Sequence, residues 1–99
     1  MKRTTVLLAA ALAFPLGAHG QAADATAAQA LTKKAGCLKC HAVSADKDGP
    51  SFKKTAAKYK GQADAPAKLQ AFLKAGGQHP VLKADDGQIK NVVAYILSQ

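Results

Sequence analysis

The sequence predicts an all-α fold of about four short helices packed around something other than protein. Three observations point there. No stretch alternates β-branched and polar residues as a half-buried strand requires, whereas helix caps and stops recur along the chain. The chain has 99 residues, enough for one domain. Its two cysteines, Cys37 and Cys40, are so close that a disulfide between them would remove little chain entropy. A chain this short usually needs a disulfide, a metal or a cofactor to complete its core. Composition excludes other classes: 48% hydrophobic and 20% charged residues argue against disorder. A multidomain enzyme, a multi-span membrane protein and a disulfide-dense scaffold are also excluded.

Residues 1–20 have the layout of a secretory signal peptide, leaving a domain at 21–99. Met1-Lys2-Arg3 is a short positive start, 6–16 is apolar, and Ala18-His19-Gly20 offers small residues for cleavage. The apolar run is about half the roughly 20 residues that a membrane span needs. No cysteine stands at the junction, so no lipid anchor is indicated and no stable membrane anchor is expected after cleavage. Cleavage after Gly20 is the first expectation and after Ala22 the second; an uncleaved N-terminal anchor is the competing reading. Cleavage removes His19, the only arginine and the only methionine, leaving His41 and His79 as the histidines.

Four helices follow. Segment 26–35 reads as the first, ending at Gly36, with few large residues on its alanine-rich face. Segment 52–60 reads as the second, with Phe52, Ala56 and Tyr59 on one face and Gly61 as a stop. Asp64 can cap a third, with Pro66 in its first turn, an apolar stripe of Leu69, Phe72 and Leu73, and a stop at Gly76-Gly77. Asp85 opens the last, with Gln88 as a capping-box partner. There Ile89, Val92, Val93, Ile96 and Leu97 recur at helical spacing, the best-formed amphipathic pattern in the chain. Two irregular stretches, 42–51 and 77–84, lie between helices.

The chemistry sits at Cys37-Leu38-Lys39-Cys40-His41. Cys-x-x-Cys-His is the attachment signature of a c-type haem. Its spacing lets two thiols reach two vinyl groups of one porphyrin, while the next imidazole faces the iron. One covalently attached haem c held by Cys37, Cys40 and His41 is therefore expected, and the large apolar ring supplies the missing core. Other readings remain. A redox Cys-x-x-Cys wants a βαβ context. A zinc site could draw on Cys37, Cys40, His41 and His79, though adjacent Cys40 and His41 make that awkward. A structural disulfide is the third.

From Leu31 to Gln99 the chain resembles the small bacterial class I c-type cytochromes. The matching pieces stand in order: Lys33-Lys34-Ala35-Gly36, then Cys37 to His41. Asp48-Gly49-Pro50-Ser51-Phe52-Lys53 and Lys58-Tyr59-Lys60-Gly61 come next, then Gly76-Gly77 and Ala94-Tyr95-Ile96-Leu97-Ser98. The resemblance implies a class I cytochrome c-like fold around one haem. It implies that the Pro50 carbonyl accepts a hydrogen bond from His41 Nδ1–H, fixing the ring and raising its basicity. It also implies that Tyr95 packs the last helix against the first near Gly36.

One position departs from that pattern. The family completes the iron with a methionine, followed by proline, before the last helix. Counted back from Tyr95, that slot holds His79, followed by Pro80. His41 and His79 are thus the expected axial pair; an open or weakly ligated iron is the alternative, with Lys83, Asn91 and water as poorer candidates. Imidazole stabilises ferric iron more than thioether does, so a lower potential than in a Met-ligated relative is expected.

The function implied is one-electron transfer in the periplasm by a soluble carrier that is not an enzyme. No acid–base or nucleophilic constellation stands beside the site. The alternative is a haem-based protein that binds or senses a small ligand, or a weak peroxidase, with a labile sixth position. A third reading is an electron-carrying subunit of a larger periplasmic dehydrogenase. The formal net charge is +8, with 14 Lys+Arg against 6 Asp+Glu. Lys33, Lys34, Lys39, Lys47, Lys53, Lys54, Lys58 and Lys60 fall in the half that carries the attachment motif, so a redox partner protein with an acidic docking surface is expected. A merely solvated surface is the plainer reading. Nucleic acid is not expected, because no basic patch is interleaved with aromatic residues.

Overall fold

The structure, a computed structural model, describes residues 22–99; the expected signal peptide lies outside the described residues. Four α-helices account for the regular structure: α1 (Ala25–Lys34), α2 (Phe52–Tyr59), α3 (Ala65–Ala75) and α4 (Asp86–Leu97). A single 3-10 turn, Cys37–Lys39, follows α1, and no strand occurs among the described residues. The all-α expectation holds. No helix among the described residues is long and apolar enough to cross a membrane.

The ends of the helices follow from side-chain capping. Asp24 caps α1 by accepting the Ala27 N–H at 3.0 Å, so the helix begins one residue earlier than the sequence pattern suggests. The Ser51 hydroxyl accepts the Lys54 N–H at the start of α2. Asp85 and Gln88 form the full capping box of α4, at 2.8 and 3.1 Å. Asp64 differs from expectation: it stands at the N-cap of α3 but makes no capping bond. Its carboxylate instead pairs with Lys68 at 3.0 Å, one turn further on.

Helix α4 is the spine and packs against each of the other three. Ile89, Val92 and Val93 are almost completely buried and join Ala28, Phe52, Leu82 and Tyr95 in one core. A two-bond clamp ties its middle to the start of α1. The Asp24 N–H donates to Asn91 Oδ1 at 2.8 Å, and Asn91 Nδ2 donates to the Asp24 carbonyl at 3.0 Å. Tyr95 is buried, and its aromatic partner is Phe52 on α2, ring edge to ring face at 6.2 Å.

Helix α3 behaves differently. Its stripe of Leu69, Phe72 and Leu73 is not sealed by protein, and Phe72 is 48% exposed. All three residues face a large cavity between the helices.

Candidate functional site

That cavity, about 1330 Å³, brings the sequence-predicted residues together: Cys37, Cys40, His41, Pro50 and His79 all line it. Its apolar wall comes from α2, α3 and α4, through Phe52, Leu69, Phe72, Val92, Val93 and Ile96.

The proximal wall is built around His41. Gly36, at a positive φ of 81°, ends α1 and turns the chain into the 3-10 turn bearing both cysteines. His41 Nδ1 donates to the Pro50 carbonyl at 2.7 Å, the bond implied by the resemblance. The Phe52 ring stacks on the imidazole, with centroids 5.8 Å apart. Gly49 is required by proximity: a Cβ there would lie 2.4–2.9 Å from three atoms of the His41 ring. The segment is braced by Gly49 N–H to the Cys40 carbonyl at 2.7 Å and Phe52 N–H to the Ala42 carbonyl at 2.9 Å. Asp46 accepts the Ser51 N–H at 2.8 Å and meets Lys54 at 3.2 Å; these contacts, led by the Ser51 bond, lower its pKa.

The distal wall carries His79 in the loop between α3 and α4. Its ring centroid lies 6.0 Å from that of His41, with planes 39° apart. His79 Nδ1 donates to the Pro80 carbonyl at 2.8 Å. A carbonyl oxygen only accepts, so each ring donates from Nδ1, and the neutral tautomer that does so has its lone pair on Nε2. Phe72 packs beside His79, with centroids 5.0 Å apart.

The donor set fits a haem. Two imidazoles with ring centroids 6.0 Å apart and two cysteines line one cavity. The apolar walls suit the macrocycle, and the paired cysteines stand beside the proximal imidazole. The competing readings fit less well. Burial pushes the Cys37 thiol above its ordinary pKa, opposite to what a redox Cys-x-x-Cys nucleophile needs. No group of three or more His, Cys, Asp or Glu side chains converges as metal ligands among the described residues. Asn91 is committed to Asp24, and neither it nor Lys83 lines the cavity.

Several contributors were not evident from sequence. The contact of Phe72 with His79 was hidden because a Leu-Phe-Leu stripe at helical spacing usually signals protein core. Lys68 lines the cavity with Lys39, Lys54 and Lys58, although it lies outside the motif-bearing half. Gly49 had a visible sign, its place beside Pro50, but the steric demand depends on where the His41 ring comes to rest.

Known proteins resemble the whole described domain. The profile of the cytochrome c family, "Cytochrome c", matches residues 25–99. Cytochrome c-551 of Pseudomonas aeruginosa is 35% identical over 86 residues, 80% of this chain and 83% of that protein. Cytochrome c2 of Rubrivivax gelatinosus is 37% identical over 77 residues, covering 68% and 91%. Among solved structures, the class 1 cytochrome MtoD of Sideroxydans lithotrophicus ES-1 superposes with a TM-score of 0.75 at 43% identity, covering 78% of this chain and 97% of that one. Wild-type Nitrosomonas europaea cytochrome c552 gives 0.63 at 33% identity, covering 71% and 96%.

Proposed function

The chain belongs to the cytochrome c family and binds one covalently attached haem c, and from that premise we propose that it is a one-electron carrier with two imidazole ligands. Cys37 and Cys40 would carry the thioether links, and His41 and His79 would bind the iron. When bound, the haem supplies reversible one-electron exchange at its iron. The observation that carries the reading is the placement of the two rings, 6.0 Å apart across the cavity with both Nδ1–H groups tied to carbonyls.

The residues divide the work. The Pro50 carbonyl holds His41 in one tautomer and one orientation, and the Pro80 carbonyl does the same for His79. Both bonds raise imidazole basicity and so favour the ferric state. Leu69, Phe72, Val92 and Ile96 keep water from the faces of the site. No methionine occurs after Met1, so the family's usual thioether ligand has no counterpart in the domain.

The protein is exported through residues 1–20 and works in the periplasm. Its partner is a redox protein with an acidic docking surface. Lys39 and Lys58 line the cavity mouth without an ion pair among the described residues, and Lys33, Lys34, Lys53 and Lys60 are exposed as well. Such a field raises the rate of encounter and makes it fall with ionic strength.

Redox titration with optical spectra tests the reading. The expected result is a potential below those of Met-ligated relatives, low-spin spectra in both oxidation states and indifference to carbon monoxide. His79→Met is expected to raise the potential by on the order of 0.1 V, a modest part of the roughly 0.8 V that axial ligation spans. Rapid carbon monoxide binding by the wild-type ferrous protein would favour ligand sensing instead.

A further inference from the structure

The sixth-ligand loop begins with an unusual turn. Helix α3 ends at Ala75, and the next residue, Gly76, has φ 74° and ψ −87°. The Gly77 N–H donates across it to the Ala75 carbonyl at 3.1 Å. This is a γ-turn of the rare hand, one that strains any residue with a Cβ but that glycine adopts freely. A side chain here would be held in that strain only by its surroundings.

The surroundings here are His79 and its neighbour. Gly76 is buried. A Cβ on it would lie 2.8 Å from the His79 carbonyl oxygen and 2.6 Å from Val81 Cγ2. The first is backbone and the second belongs to a stiff β-branched side chain, so neither yields cheaply. The Gly76 carbonyl also accepts the His79 N–H at 3.4 Å. Gly77 provides an internal contrast: its φ is also 74°, but a Cβ there would meet nothing within 4 Å.

We propose that Gly76 is the positioning residue of the sixth ligand: its missing side chain lets the His79–Val81 backbone fold against the end of α3 and so delivers the His79 imidazole opposite His41. This rests on the reading of His79 as an axial ligand. A side chain at Gly76 pushes the His79 backbone outward, leaving His41 and the cysteines untouched. The result is a haem protein with a labile sixth position.

The test compares Gly76→Ala, Gly77→Ala and His79→Ala holoproteins by ferric electron paramagnetic resonance and ferrous carbon monoxide titration. Gly76→Ala is expected to lose most of the two-imidazole low-spin signal and regain a low-spin signal with saturating free imidazole. Its carbon monoxide affinity is expected to rise about tenfold or more, in proportion to the fraction of open sites. Gly77→Ala is expected to keep the wild-type signature despite the same positive φ. Wild-type ligation in Gly76→Ala, or equal loss in both glycine variants, would overturn the proposal. So would failure of Gly76→Ala to accumulate where His79→Ala accumulates, because the glycine would then serve folding and not ligand placement. A wild-type protein without the two-imidazole signal would instead overturn the reading of His79 itself, and the proposal with it.

Discussion

The two walls of the cavity hold a histidine each, but in unlike ways. His41 is fixed from a distance: its Nδ1–H bond goes to Pro50, nine residues away, and Phe52 stacks on its ring. Backbone bonds from Gly49 and Phe52 brace the same segment. His79 is fixed by close neighbours: its Nδ1–H bond goes to Pro80, the next residue, and its N–H reaches Gly76 at 3.4 Å. Beyond the Phe72 ring of α3, which packs beside His79, the loop rejoins the body of the fold by a backbone bond at Leu82, whose N–H donates to the Leu73 carbonyl at 2.8 Å. His41 is therefore held by a network and His79 mainly by a turn. Local support is lost sooner than distributed support, so the His79 side is expected to open first.

The largest expected effect contrasts the histidines themselves. His41→Ala is expected to abolish most of the haem-bearing protein, whereas His79→Ala retains the covalently attached haem and gains a site for carbon monoxide. Haem staining of denaturing gels and the ferrous carbon monoxide spectrum distinguish them. Equal loss in both variants would erase the asymmetry.

Next comes Phe52, which joins the His41 ring to the Tyr95 ring and is 4% exposed. Phe52→Ala is expected to cost about 3–5 kcal/mol, the usual price of removing a buried aromatic. Denaturant unfolding measures it, and a loss below about 1 kcal/mol would show that the proximal network does not depend on that ring.

Gly49→Ala sharpens the same point at smaller scale. Its Cβ would overlap the His41 imidazole, so the ring must tilt or the loop must move. A destabilisation of about 1–3 kcal/mol is expected, together with a shifted ferric spectrum. An unchanged spectrum would mean that the loop, and not the ring, gives way.

The smallest effect is electrostatic. Asp46 is held below the ordinary carboxylate pKa by the Ser51 N–H, with Lys54 assisting. Its stabilising contribution is complete above the unfolded value of about 3.9 and is lost as pH falls through the lowered folded value. Thermal melts of wild type and Asp46→Asn between neutral pH and pH 3 are expected to converge at the acid end. Parallel curves across that range would show that Asp46 contributes nothing titratable. The group is fully exposed, so the difference is small.

Much of this was legible in the sequence because it depends on local chemistry. The capping box of Asp85 and Gln88, the apolar spacing of α4 and the Cys37–His41 motif are written within a few residues. The Pro50 bond followed from the family pattern. Less legible was whatever depends on where a distant segment comes to rest. Leu69, Phe72 and Leu73 read only as an apolar stripe, because periodicity records an apolar face but not what covers it. Asp64 resembled a cap, yet Lys68 one turn along captures its carboxylate. The steric demands on Gly49 and Gly76 depend on the His41 ring, the His79 carbonyl and a Val81 methyl that only the folded chain brings near. The Asp24–Asn91 clamp spans nearly the whole domain and has no local mark at all.

The central claim is that imidazoles grip the iron from both sides. Low-temperature electron paramagnetic resonance of the oxidised wild-type protein, with His79→Ala as the reference, tests it most directly. The expected result is a low-spin ferric signal of two imidazole ligands that vanishes in the variant. A high-spin signal in the wild type, or a low-spin signal that survives the loss of His79, would contradict it.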